Sequence, residues 1–317
     1  MPAAIVTEHL TKDYRVGFWR PRPYRALDDL SLTVEPGEVF GFLGPNGAGK
    51  TTTLKLLMQL VFPTAGRAEI LGRPVGDPAV KRRIGYLAEH PYFYDYLTAE
   101  ELLGYFGGLF GYSGADRTRR VARLLDEVEI GAERRLQLRK FSKGMIQRVG
   151  LAQALINDPE VIFLDEPMSG LDPLGRRDVR ALILRLREEG RTVFFSSHIL
   201  ADAEALCSRA AILAKGRLVA SGSLSEMLAF QVRGWEAVVE QLPSESLPRL
   251  EATARRVQRI AEGRYSLEFP PEPPPEQVLP SLLSAGGRLV SVMPLRQTLE
   301  DFFVERVGSA DWDRMGQ

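Results

Sequence analysis

The stretch Gly44 to Thr51, reading Gly-Pro-Asn-Gly-Ala-Gly-Lys-Thr, constrains this chain more than any other. Glu38-Val39-Phe40-Gly41-Phe42-Leu43 ahead of it reads as a buried strand. Leu54, Leu57, Met58 and Val61 behind it fall at i, i+3, i+4 and i+7, one face of a helix. Strand, glycine loop and helix in that order are the context in which a phosphate-binding loop is credible. Glycines let the backbone wrap an anion with its N–H groups inward, and the helix N-terminus adds partial positive charge. Lys50 supplies a full charge for the β- and γ-phosphates, and the Thr51 hydroxyl is placed to hold Mg²⁺.

The 317 residues, 44% of them hydrophobic, suit one large or two unequal globular domains. Lys+Arg and Asp+Glu both number 41, so no basic excess points to nucleic acid. A single cysteine, Cys207, allows no internal disulfide and fits a reducing compartment. Met1 to Leu10 lacks the basic and apolar regions of a secretion signal. No apolar run approaches the ~20 residues of a membrane helix, so work at a membrane would need other chains to cross it.

Ile5 to Arg15 and Ser31 to Val34 read as strands. Tyr14, flanked by basic residues, is either an ordinary strand tyrosine or an aromatic free to stack on a purine. The loop Val16 to Pro23, with Phe18, Trp19 and Arg20, is either a solvated turn or a contact for a partner or lipid surface. Arg67 to Leu71 and Ile84 to Ala88 are further strands, the second leading to Glu89, with a short helical stretch near Val80 between them. Thr98-Ala99-Glu100-Glu101 forms a capping box. It opens a helix whose aromatic residues, with Tyr92, Phe93, Tyr94 and Tyr96, suit core packing or a docking surface. Residues 115 to 140 read as charged and helical, with Val121, Leu124, Leu125 and Val128 on the buried face and Arg117, Arg119, Arg120 and Arg123 solvated.

A second cluster of chemistry follows. Ser142 caps a helix running to Ile156. Val161 to Leu164 is apolar without alternation, as in a central parallel strand covered on both faces, and Asp165 and Glu166 stand at its carboxyl end, where open parallel sheets bind ligands. Asp165 suits Mg²⁺, and Glu166 suits orienting and deprotonating a water. A tight turn at Ser169 to Pro173 leads into a charged helix, Gly175 to Glu189. Thr192 to Ser197 is another buried strand, and His198 at its end is placed to touch a γ-phosphate, although a lone histidine is more often structural.

This order of motifs resembles the ATP-binding cassette, the motor subunit of ABC transporters, over about residues 4 to 228. Gly44, Pro45, Asn46, Gly47, Ala48, Gly49, Lys50 and Thr51, with Thr52, look like the Walker A loop. Val161 to Glu166 resembles Walker B, Ser169 to Asp172 the D-loop, and His198 the switch histidine. Tyr14 sits where the adenine-stacking aromatic is expected. Phe141 to Arg148 resembles the signature motif, in which Ser142 and Gly144 contact the γ-phosphate. The chain departs from the pattern at Glu89, where a glutamine usually contacts metal and water, and at Lys143 and Met145, in place of glycine and glutamine. Both variants resemble cassettes of two-component exporters.

The resemblance implies an α/β P-loop ATPase core of mainly parallel sheet, with an antiparallel β subdomain and a helical subdomain. It also implies ATP and Mg²⁺ as cofactors, with Thr51, Glu89 and Asp165 toward the metal and Glu166 and His198 catalytic. One Walker A and one signature per chain imply a homodimer. Separate transmembrane permease subunits would hold that dimer at the cytoplasmic face of the cell membrane. A soluble cassette ATPase acting on nucleic acid or ribosomes is the alternative, but this chain has neither a second cassette nor long basic or coiled-coil insertions. A GTPase or small-molecule kinase is disfavoured by the signature and D-loop segments and by the lack of an Asn-Lys-x-Asp motif.

The tail has another composition. Ala211 to Leu213 and Leu218 to Ala220 form a hairpin, and Ser223 to Phe230 a closing helix. Trp235 to Glu240 and Tyr265 to Phe269 alternate like half-buried strands. Pro270 to Pro275 is an extended loop. Val278 to Leu283 and Thr298 to Val307 suggest helices, with Leu289 to Val292 a strand between them. With the ATP-binding domain at 1–230, residues 231–317 read as a small C-terminal α+β domain. It resembles accessory domains after some exporter cassettes, with a role in dimer support or regulation.

Overall fold

The computed structural model describes residues 2–17, 19, 21–228, 232–296 and 298–307. The chain divides into two compact units, Met1–Leu224 with Phe303–Gln317, and Ser225–Phe302. The sequence boundary at 230/231 and the closing residue Phe230 lie outside the described residues, as do Phe18 and Arg20 of the aromatic loop.

The first unit opens with β1 (Ile5–Val16) and β2 (Arg22–Val34), an antiparallel pair, before β3 (Val39–Leu43) enters the core with all five residues buried. After the glycine loop come α1 (Lys50–Leu57), β4 (Ala65–Ile70), β5 (Arg73–Pro74), α2 (Pro78–Lys81) and β6 (Ile84–Leu87). Three helices follow, α3 (Ala99–Leu109), α4 (Gly114–Glu127) and α5 (Lys143–Ala154), packed on one another. The chain then alternates β7 (Val161–Asp165), α6 (Pro173–Glu188), β8 (Thr192–Ser197) and α7 (Leu200–Leu206), and closes with the hairpin β9 (Arg209–Ala214) and β10 (Arg217–Ser223).

The central sheet has the order β10-β9-β3-β8-β7-β6, with parallel pairing from β9 to β6 and an antiparallel edge at β10. A separate antiparallel sheet has the order β2-β1-β4-β5. The expected architecture is thus present: a mainly parallel sheet, an antiparallel β sheet and a helical group. Phe40, Phe42 and Phe163 ring Phe194 at centroid distances of 5.8, 5.2 and 5.7 Å. They join Leu10, Leu27, Leu54 and Leu57 in one core, which fixes α1 and the antiparallel sheet against the strand ends that carry the chemistry.

Two helices stop where no glycine marks the stop. α1 ends at Leu57, short of Val61, because Gln59 turns left-handed (φ 55°); Leu60 N–H then donates to Lys55 at 2.8 Å and Gln59 N–H to Leu56 at 2.9 Å. α4 ends at Glu127 in the same way around Glu129 (φ 58°), with Ile130 N–H donating to Leu125. The helical reading of residues 115 to 140 therefore fails over 128–137; only a short 3₁₀ turn, Leu138–Lys140, resumes.

The second unit holds β11 (Val232–Glu240), α9 (Leu247–Glu251), β12 (Arg256–Ala261), β13 (Arg264–Phe269), α10 (Pro275–Ser284) and β14 (Arg288–Arg296); a brief α8 (Leu224–Met227) precedes them in the chain, and α11 (Leu299–Val307) follows, running past the boundary at Phe302. The sheet order β12-β13-β11-β14, antiparallel throughout, makes a β-α-β-β-α-β ferredoxin-like unit. Trp235 stacks on Phe269 at 4.3 Å in its core. Sequence reading missed α9 and β12; β12 is an edge strand with five exposed positions and little apolar alternation to betray it.

Candidate functional site

The loop between β3 and α1 keeps only Asn46 and Gly47 exposed; Gly44, Pro45, Ala48 and Lys50 are buried. Its path depends on glycine at two places. Gly44 (φ 153°) would put a Cβ 2.3 Å from the Leu213 carbonyl oxygen, and Gly49 (φ 107°) one 2.6 Å from that of Ala26. Backbone bonds from Gly44 N–H to Ser197 O (3.2 Å) and from Gly216 N–H to Ala48 O (2.9 Å) tie the loop to β8 and the β9-β10 turn.

Lys50, 5% exposed, curls into this loop and donates to Gly44 O at 2.7 Å and Pro45 O at 3.2 Å. Its Nζ also lies 3.2 Å from Glu166 Oε1, yet that oxygen accepts no hydrogen bond, so the contact is one of charge without alignment. Thr51 Oγ1 donates to Asp165 Oδ1 at 3.4 Å. Glu166, in the left-handed region (φ 49°), places Oε2 2.7 Å from His198 Nδ1. Walker A, Walker B and the switch histidine therefore meet across three adjacent strands, β7, β8 and β3.

Asp165 is 1% exposed, and its Oδ2 has no hydrogen-bond partner. Burial pushes its pKa up, the nearby Glu89 and Glu166 charges add to that, and hydrogen bonds from Ser196 and Thr51 pull it down. Ser196 is the residue sequence reading missed: its hydroxyl donates to Asp165 Oδ1 at 2.6 Å and accepts from Glu166 N–H at 3.0 Å. A serine inside an apolar strand two residues before His198 was the available signal. Burial, with the Asp165 and Glu89 charges behind it, also pushes the Tyr86 phenol up to about 12.

A cleft over the loop is lined by Asn46, Gly47, Gly49, Lys50, Thr51 and Thr52, and on its other sides by Tyr14, Tyr24, Ala26, Glu89 and Glu166. Tyr14 faces Tyr24 directly across the β1-β2 pair, and Lys12 Nζ lies 5.1 Å from the Tyr14 ring centre. Tyr24, 53% exposed, is a second aromatic that sequence reading passed over. Of the residues expected at the phosphates and metal, Asn46, Gly47, Gly49, Lys50, Thr51, Thr52, Glu89 and Glu166 line this cleft, and Asp165 is hydrogen-bonded to Thr51.

The signature residues do not join it. Ser142 caps α5, its Oγ accepting from Met145 N–H at 3.2 Å. It lines a different depression with Lys143, Gly144, Gly170, Leu171 and Asp172, and the two hollows share no residue. Lys143 runs over Gly170, where an added Cβ would meet its Nζ at 2.6 Å. Gln147, 2% exposed, donates to Pro167 O at 3.2 Å and so links α5 to the loop after Glu166.

Comparison with known proteins agrees with this geometry. A family model described as ABC transporter matches residues 27–169. An uncharacterised ABC transporter ATP-binding protein of Synechocystis is 47% identical over 305 residues, 96% of this chain and 84% of the relative. This chain belongs to the ABC transporter ATP-binding family. The Nod factor export ATP-binding protein I of Cupriavidus metallidurans is 33% identical over 284 residues, 89% of this chain and 92% of that one. A solved dimeric ATP-binding cassette, in a post-hydrolysis state with ADP and Pi, superposes with TM-score 0.64 at 27% identity, covering 69% of this chain and 98% of that one. This ABC subunit binds ATP and is an ATPase. Among its described residues no helix is long and apolar enough to cross a membrane.

Proposed function

We propose that the chain is the ATP-hydrolysing motor of an exporter, working as a homodimer on separate membrane permease subunits. The observation that carries the dimer is the separation of the two hollows within one chain: Ser142 and Gly144 stand apart from the Lys50 loop they would have to serve. A second copy can present its signature to the first chain's loop, and the dimeric state of the solved relative supports that arrangement. The export direction is supported by the Nod factor relative. An unusually aromatic surface, with Tyr92 98%, Tyr94 63%, Tyr96 59% and Tyr105 58% exposed, suits docking of a permease. Through it the motor would sit at the cytoplasmic membrane face.

In the assembled site Tyr14 stacks on adenine. Gly44 to Thr52 cradle the phosphates, with Lys50 leaving Glu166 for the β- and γ-phosphates. Glu166 takes the proton of the attacking water, and His198 holds Glu166 and the γ-phosphate in line. Among the described residues no group of three or more His, Cys, Asp or Glu side chains forms a metal site by itself. The unpartnered Asp165 Oδ2, the Thr51 hydroxyl and Glu89 at the cleft fit Mg²⁺, which takes few protein ligands and completes its shell with phosphate and water. Bound there, Mg²⁺ would neutralise phosphate charge.

The test is Glu166→Gln, which keeps the shape and removes the base. With saturating ATP it should be a dimer by light scattering and hydrolyse poorly; a monomer would contradict the reading. A chain ended after residue 230 tests residues 231–317 as the accessory domain in the same assay: dimerisation and ATPase activity equal to the full chain would remove its proposed supporting role.

A further inference from the structure

The helix that follows the D-loop turn and the helix that follows His198 are joined by an ion pair whose carboxylate is buried and whose arginine side chain is 38% exposed. Asp202, 1% exposed, lies in the first turn of α7. Its Oδ1 accepts from Arg180 Nη2 of α6 at 2.5 Å. Two further polar atoms at this contact, Arg180 Nε and Asp202 Oδ2, are buried and have no hydrogen-bond partner. One is a donor and the other an acceptor. They are the two atoms needed to turn the single bond into the paired grip that a guanidinium fork makes on a carboxylate.

Leaving both unmade is unfavourable in a low-dielectric setting, because each atom has lost water without gaining a partner. A small change in the alignment of α6 and α7 that brought Nε to Oδ2 would remove both penalties together. The two helices are unequally anchored. α6 is 16 residues long, starts with Pro173 and is capped by Asp172 of the D-loop, whose Oδ1 accepts from Gly175 N–H at 2.9 Å. α7 has seven residues and no side-chain cap at Ile199, one residue beyond His198. α7, which begins two residues after His198, is therefore the less firmly anchored of the two.

We propose that Arg180 and Asp202 are positioning residues for hydrolysis: their single bond closes into a two-bond fork as α7 shifts His198 onto the γ-phosphate. Closure thereby couples the D-loop, which shares the hollow lined by Ser142 and Gly144, to the histidine that holds Glu166. The inference rests on the dimeric reading above and adds to it a link between two motifs within one chain.

Arg180→Lys tests it, since an ammonium keeps the charge and the contact to Oδ1 but has no second, rigidly placed donor. The variant should melt close to the parent and keep its KM for ATP within about twofold, while kcat falls about tenfold. Hydrogen exchange of α7 amides should match the parent without nucleotide, and the extra protection gained with ATP should shrink. Arg180→Met/Asp202→Leu, which removes both charges, should restore any lost stability but not kcat. An unchanged kcat overturns the proposal, as does a fall in kcat that follows stability and is recovered by the double variant. Normal ATP-dependent dimerisation of Glu166→Gln alongside wild-type turnover of Arg180→Lys would sink this inference alone; loss of the Glu166→Gln dimer would remove the reading beneath it as well.

Discussion

Replacing Glu166 by Gln should tighten nucleotide binding even while it stops hydrolysis. In the structure Lys50 and Glu166, 5% and 6% exposed, face each other at 3.2 Å. At an effective dielectric of about 20 the gross attraction at that distance is about 5 kcal/mol. Most of it is cancelled by the burial of both ions. Lys50 also keeps the Gly44 and Pro45 carbonyls as acceptors when the carboxylate is gone. A charged contact lacking hydrogen-bond alignment then leaves a net hold of about 1.4 kcal/mol. Phosphate must break that hold to claim Lys50, and it must also approach the Glu166 charge. Removing the carboxylate lifts both obstacles, so the Kd should fall about tenfold. Calorimetric titration with ADP and no divalent metal isolates the effect, because nothing is hydrolysed and dimer closure on a γ-phosphate does not contribute. An unchanged or weaker affinity would refute the reasoning and show that Lys50 is equally available in both forms.

Two further outcomes follow from the cleft. Tyr14→Ala should raise the Kd for ADP about tenfold, the size of one base-stacking contact, with Tyr24→Ala affecting it less; equal affinities by the same titration would deny Tyr14 its place under the base. Asp165 gives a pH signature. Its folded pKa lies above that of the unfolded chain, so the native state keeps a proton that the unfolded chain has already lost. Stability therefore drops as pH rises from the ordinary carboxylate range through the raised value, and the deficit persists above it. Asp165→Asn should stabilise the nucleotide-free protein at neutral pH and much less near pH ~4, while ATPase activity is lost. Urea melts across that range check the sign, and a stabilisation that grows toward acid would reverse it.

Legibility differed along the chain for physical reasons. Walker A, the apolar strands β3, β7 and β8, the capping box at Thr98 and the cap at Ser142 were readable because each is a local pattern, in which neighbours in sequence satisfy one another. The unbroken apolar runs also indicated a parallel sheet covered on both faces, and the structure has one. Non-glycine residues took the left-handed helix ends at Gln59 and Glu129, so those stops left no mark. Tyr24 and Ser196 matter through partners reached only across a sheet: Tyr24 stands opposite Tyr14, and Ser196 bridges Asp165 and Glu166 from the next strand.

By itself, then, the amino-acid order determined the chemistry, a phosphate loop with a lysine, two carboxylates and a histidine, because those roles depend on residue type and short spacing. Tertiary structure alone decided which groups meet. The order of strands β3, β8 and β7 brings Lys50, Glu166 and His198 into contact and leaves Ser142 in a hollow of its own. Strand order is a long-range property set by how helices and sheets share a core, and no local stretch of sequence contains it.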